Sequence, residues 1–143
     1  MIKAQATTMM TAVTAGNGSS VQPLCTAGMG QIRAQFIMDL VALATGVPAA
    51  QIRSETRNNA RAARARQIAM YLAYVSFQWP LARIGAAFGR GRTTAGYACR
   101  LVEDLRDDRG FDSRLDRLET CLKNAPDPFD VKLLGTNLME MVA

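Results

Sequence analysis

The 143-residue sequence predicts an all-α, multi-helix domain that contains a helix-turn-helix. Three observations carry that expectation. Apolar residues recur at spacings of three and four from residue 31 onward. No segment shows the two-residue alternation of a half-buried strand. Between residues 81 and 105, a short helical pattern, a glycine-bearing turn and a longer helical pattern with small inner residues follow one another.

Taken in order, residues 1–30 are rich in Thr, Ala, Gly and Ser, carry only Lys3 as a charge, and read as a flexible arm. Ile32, Phe36, Ile37, Leu40, Val41 and Ala44 then mark a helix from Gln31 that Gly46 closes. Val47-Pro48 opens a short second helix through Ile52. The basic stretch from Arg57 to Arg64 joins it to a longer helix whose apolar face is Ala65, Ile68, Ala69, Leu72 and Val75. Trp79-Pro80 ends that helix, because proline disfavours helical geometry in the residue before it. Leu81–Phe88 forms a short helix, and Gly89-Arg90-Gly91 a tight turn with two residues free to take positive φ.

The next helix runs from Arg92 to Leu105. Its inner face is Ala95, Ala98, Leu101/Val102 and Leu105, and its outer face Arg92, Thr93, Gly96, Tyr97 and Arg100. After Arg109-Gly110, Phe111, Leu115, Leu118 and Leu122 mark a further helix, with Asp112 or Ser113 as its cap. Asn124–Pro128 is a break, and Phe129–Ala143 an amphipathic tail. The expected division is an arm at 1–30, a helix-turn-helix domain at 31–123 and a tail at 124–143 that offers a partner-binding helix.

Charge is polarised along the chain. Residues 51–100 hold nine arginines and one acid, a net of +8, whereas residues 101–143 have a net of −4. One face is therefore suited to a polyanion. Arginine outnumbers lysine 14 to 3, and guanidinium forks suit phosphate oxygens and guanine edges.

Other classes recede. The sequence has no histidine, which removes the commonest general base and metal ligand, so no catalytic residue, metal site or cofactor is expected. Cys25, Cys99 and Cys121 are odd in number and widely spaced, which fits a reducing cytoplasm, and Cys99 and Cys121 read as buried small residues. Asp39 interrupts the best apolar run, so no membrane span is expected. The acids Glu103, Asp104, Asp107 and Asp108 read as a solvated helix end, Arg83 and Arg106 as solvated bases, with Arg106 placed to pair with local acids.

The short helix, turn and longer helix spell a DNA reader. Ala95 and Ala98 let the second helix lie close across the first, so that its outer face projects into a major groove about 12 Å wide. Arg90, Arg92 and Arg100 flank that face, and Arg57, Arg61, Arg64 and Arg66 lie nearby in sequence. Double-stranded DNA is the expected partner.

Residues 57–105 resemble the carboxy-terminal DNA-binding domain of the bacterial replication initiator DnaA, a helix-turn-helix related in form to that of the Trp repressor. The stretches that carry the resemblance are Arg64-Ala-Arg-Gln-Ile-Ala-Met-Tyr-Leu-Ala73, Ile84-Gly-Ala-Ala-Phe-Gly89 and Arg92-Thr-Thr-Ala-Gly-Tyr-Ala-Cys-Arg-Leu-Val-Glu103. The helices between Gln31 and Ile52 fall in the family's order. The resemblance implies that Arg57 or Arg61 enters the minor groove, the closest aligned position being Asn58. It implies that Arg66 and Gln67 touch phosphate, and that Thr93 and Thr94 meet a thymine methyl and a phosphate.

The chain departs from the family where Arg90-Gly91-Arg92 replaces Arg-Asp-His, in a turn one residue shorter, and where Tyr97 replaces a histidine. Arg92 thus predicts a guanine preference in place of the initiator's own box. No phosphate-binding loop is present, so ATP-driven duplex melting is not expected. The expected function is a transcription regulator, an activator such as those of gene transfer agents or prophage-like clusters, with RNA polymerase or another regulator docking on 124–143. The alternative is a modulator of replication initiation acting on initiator sites or partners.

Overall fold

A computed structural model describes residues 28–55 and 59–142. Its helices in chain order are α1 over residues 28–45, α2 (Ala49–Arg53), α3 (Ala60–Ser76), α4 (Leu81–Ala87), α5 (Arg92–Leu105), α6 (Arg109–Asn124) and α7 (Pro128–Val142). No strand occurs among the described residues, in agreement with the all-α expectation. The chain divides between residues 31 and 32 into two units, and the helix-turn-helix lies in the second. Helical backbone already covers residues 28–30, which the sequence assigned to the arm. Two of those residues are glycines, poor helix formers that local propensity alone places outside a helix. The rest of that expected arm, residues 1–27, lies outside the described residues.

The second unit is organised around α3, against which α2, α4, α5 and α6 pack. Ala65, Ile68, Ala69, Met70, Tyr71, Leu72 and Ala73 bury this helix on nearly every side. Its many alanines let neighbouring backbones approach closely. Ile37 and Val41 of α1, Ile52 of α2, Ile84 of α4, Val102 of α5 and Leu115 and Leu122 of α6 complete one core. Each large aliphatic side chain buried there contributes about 1.5–3 kcal/mol.

Helix ends were less legible. α3 begins at Ala60, before Arg64, because the Asn59 side chain accepts a hydrogen bond from the Arg61 amide at 2.8 Å. Arg61 and Arg64 therefore stand on helix, not in a loop. α6 is capped by Asp108, whose Oδ1 accepts from the Phe111 amide at 2.8 Å, in place of Asp112 or Ser113. Asp112 is instead bound to Arg106. Cys99 is buried as expected, whereas Cys121 is exposed, since it lies off the face that carries Leu115, Leu118 and Leu122.

The α4–α5 turn rests on two glycines. Gly89 takes φ +64, a conformation that L side chains rarely adopt. Gly91 does not share it. With φ −74 and ψ 159 it is extended backbone and forms the N-cap of α5. Gly85 on α4 allows the turn to fold back: a Cβ there would lie 2.6 Å from the Arg90 carbonyl oxygen, and the Gly85 carbonyl accepts from the Arg90 amide at 2.7 Å.

Candidate nucleic-acid interface

Helix α5 is sharply two-sided. Ala95, Ala98, Cys99 and Val102 are buried against α3 and α4, while Arg92, Thr93, Thr94 and Arg100 are exposed and Tyr97 is 59% exposed. Gly96 is half-buried, its missing side chain leaving room for Leu81, whose Cδ1 would lie 3.4 Å from a Cβ at that position. No side chain caps the start of α5. Its first backbone N–H groups thus face outward beside Arg92 and the two threonines, an arrangement that favours an anion. Arg100 also borders a groove of about 560 Å³ with Tyr71, Tyr74, Leu81 and Glu103.

The junction between α2 and α3 adjoins the start of α5. The Ser54 carbonyl accepts from Arg66 Nη2 at 2.8 Å and from Arg90 Nη2 at 2.7 Å. Arg66 further donates from Nε to the Ile52 carbonyl at 2.8 Å and from Nη2 to the Gln51 carbonyl at 3.1 Å. These carbonyls lie at the end of α2, where intrahelical donors run out; that of Gln51 also accepts from the Ser54 amide at 3.3 Å. Burial, reinforced by the nearby Arg90 charge, pulls the Arg66 guanidinium below the usual arginine range. It stays protonated at neutral pH all the same.

This corrects one expectation. Arg66 does not stand at the surface ready for phosphate; only 6% of it is exposed, and it holds the α2–α3 junction from inside. Arg90 is half-buried, with its Nε enclosed and unpartnered. Gln67 is half-buried. Arg61 and Arg64 are exposed one helical turn apart, and Arg61 donates to the Thr45 carbonyl at 3.1 Å. Arg57 and Asn58 lie outside the described residues.

Two arginines make more contacts than expected, although Arg83 is exposed and Arg106 pairs with local acids as the sequence predicts. Arg83 lies 4.2 Å over the Trp79 ring, a cation–π contact that the local pairing of Arg83 with Trp79 four residues earlier could have signalled. Arg106 is the larger case. It bonds Asp112, Asp116 and Glu119 and the Tyr71 hydroxyl, and Tyr71 in turn donates to Glu103 at 2.6 Å. This network ties α6 to α3 and α5. Burial and the Glu103 bond push the Tyr71 phenol up to about 12. Among the described residues no cluster of His, Cys, Asp and Glu has the arrangement of a metal site, and no helix is long and apolar enough to cross a membrane.

Comparison with known proteins bears on the same segment. Residues 34–102 match the family model described as the bacterial dnaA protein helix-turn-helix. No curated protein matches the chain. A solved structure described as a DNA replication initiation factor is similar at 30% sequence identity and a TM-score of 0.59, over 66% of this chain and 29% of that one.

Proposed function

We propose that this protein, whose residues 34–102 form a helix-turn-helix domain of the bacterial DnaA family, is a sequence-specific double-stranded DNA-binding transcription regulator. A domain of this family supports DNA binding. The observation that carries the reading is the two-sidedness of α5: its alanines face the body, and Arg92, Thr93, Thr94, Tyr97 and Arg100 face outward. In a major groove, Arg92 donates two hydrogen bonds to guanine O6 and N7, and the threonines serve a thymine methyl and a phosphate. Arg61, Arg64 and Gln67, with Arg57 and Asn58, supply the phosphate and minor-groove side.

The finer role is activation of gene clusters such as those of gene transfer agents or prophage-like elements. Helix α7 supports a partner role for residues 124–143, because Leu134, Leu138 and Met141 share one exposed apolar face. RNA polymerase or another regulator is the kind of partner this requires. The site of action is the nucleoid in the cytoplasm, and no catalytic step is assigned. Likeness to a replication initiation factor favours a second reading, modulation of replication initiation. Gly91 and Arg92 count against shared initiator sites, since the family's aspartate acceptor is missing.

Genome-wide occupancy tests both. Enrichment at promoters supports the first, and enrichment at the replication origin replaces it with the second. On a selected duplex, about six phosphate contacts give a log–log salt slope near −5, and a flat salt response removes the electrostatic mechanism.

A further inference from the structure

We infer that Arg66 and Arg90 act together as a clamp that sets the spacing between the two DNA-facing parts of the domain, the α2–α3 junction and the outer face of α5. Both guanidiniums converge on one acceptor, the Ser54 carbonyl, at 2.8 and 2.7 Å. Arg66 belongs to α3 and also seizes the Gln51 and Ile52 carbonyls, so it is fixed to the body. Arg90 belongs to the turn that starts α5, and its own backbone is fixed to Gly85 on both sides of the peptide unit: its amide donates to the Gly85 carbonyl, and its carbonyl closes over the Gly85 Cα. The link thus runs from α4 through the turn to the point where the chain leaves α2. Two like charges share a half-buried carbonyl here, and no ion pair to either arginine occurs among the described residues. Such an arrangement is costly on electrostatic grounds, whereas Arg66 alone could satisfy the carbonyls. What Arg90 adds is the mechanical connection. Arg90 is on this view a positioning residue that acts through Ser54, not a direct phosphate contact. The inference rests on the DNA-binding reading above.

The test is a double-mutant cycle on a duplex that the wild-type chain selects from a randomised pool. Arg61→Ala reports the junction's contact with DNA, and Arg90→Met removes the link while keeping the side-chain length. Circular dichroism confirms that the Arg90→Met variant is folded, since it retains all three Arg66 bonds. If the clamp sets the spacing, Arg61→Ala weakens the wild type about fivefold and the Arg90→Met protein less than about twofold, a coupling that independent contacts do not show. Hydroxyl-radical protection on the minor-groove side fades in Arg90→Met, while protection of guanine N7 in the major groove persists. Equal weakening of both backgrounds by Arg61→Ala, or a uniform loss of all protections, overturns the clamp and makes Arg90 an ordinary phosphate contact. A wild-type chain that selects no duplex overturns the DNA-binding function itself, a result separate from either.

Discussion

The arginines of the α3–α5 region and the arginine at the end of α5 are the same residue type under opposite conditions. Arg106 is enclosed by Asp112, Asp116, Glu119 and the Tyr71 hydroxyl, so its charge is spent within the fold. Arg61, Arg64, Arg92 and Arg100 are exposed and have no acid partner among the described residues. A segment's net charge therefore overstates or understates the field it projects. What reaches a polyanion is the set of guanidiniums that the protein leaves unneutralised: those of α3 and α5 named above, and also Arg83 of α4 and Arg109, Arg114 and Arg117 of α6, which are exposed with no acid partner among the described residues. Arg66 and Arg90 occupy an intermediate condition, charged but turned to backbone carbonyls.

The comparison breaks most visibly at Arg106. Arg106→Ala leaves Asp112, Asp116 and Glu119 without their shared partner, and the expected loss is about 2 kcal/mol of unfolding free energy by urea titration, since two of the three carboxylates are well exposed. Affinity for DNA in the folded fraction is expected to hold. A stable variant with weakened DNA binding would show that Arg106 belongs to the interface group.

The same network predicts a pH dependence of stability. The folded-state pKa of Tyr71 is raised from 10.0 to about 12. Its contribution is therefore fully present below pH 10 and is lost as pH rises from 10 through 12, amounting to about 2 kcal/mol. Chemical denaturation of the wild type and of Tyr71→Phe across that range checks this. The wild type is expected to lose more stability than the variant, and parallel curves refute the assignment.

The smallest effects sharpen the other side of the comparison. Arg92→Ala is expected to reduce discrimination at one base pair by about 1–2 kcal/mol, and Arg64→Ala to weaken all sequences alike while lowering the salt slope by about 1. Competition binding against single-base variants of the selected duplex measures both. The reverse pattern would mean that α5 meets the duplex by a different face.

Much of this was legible because small residues leave strong signals. Helix α5 runs from Arg92 to Leu105 as expected, since Gly91 cannot extend the pattern favourably and Ala95, Ala98 and Val102 declare the inner face. The α1 end at Gly46 and the α3 end before Trp79-Pro80 follow equally from local chemistry. Arg66 was misplaced because a guanidinium reads as a surface group by type. Position said otherwise: Ala62, Arg66, Ala69 and Ala73 share one helical face, and all four are buried. Its partners are carbonyls at the end of α2, and a carbonyl has no letter in a sequence. The cap of α6 was missed for a related reason, since Asp108, Asp112 and Ser113 are all good caps and only the path of the chain selects among them.

The lone tryptophan is a native optical probe of the half of the molecule that matters. Trp79 is enclosed in the short connection between α3 and α4, 5.6 Å from the Phe77 ring and beneath the Arg83 guanidinium. Its emission reports whether the reading head is assembled, without any attached dye, and a red shift on warming marks the moment that the paired helices part.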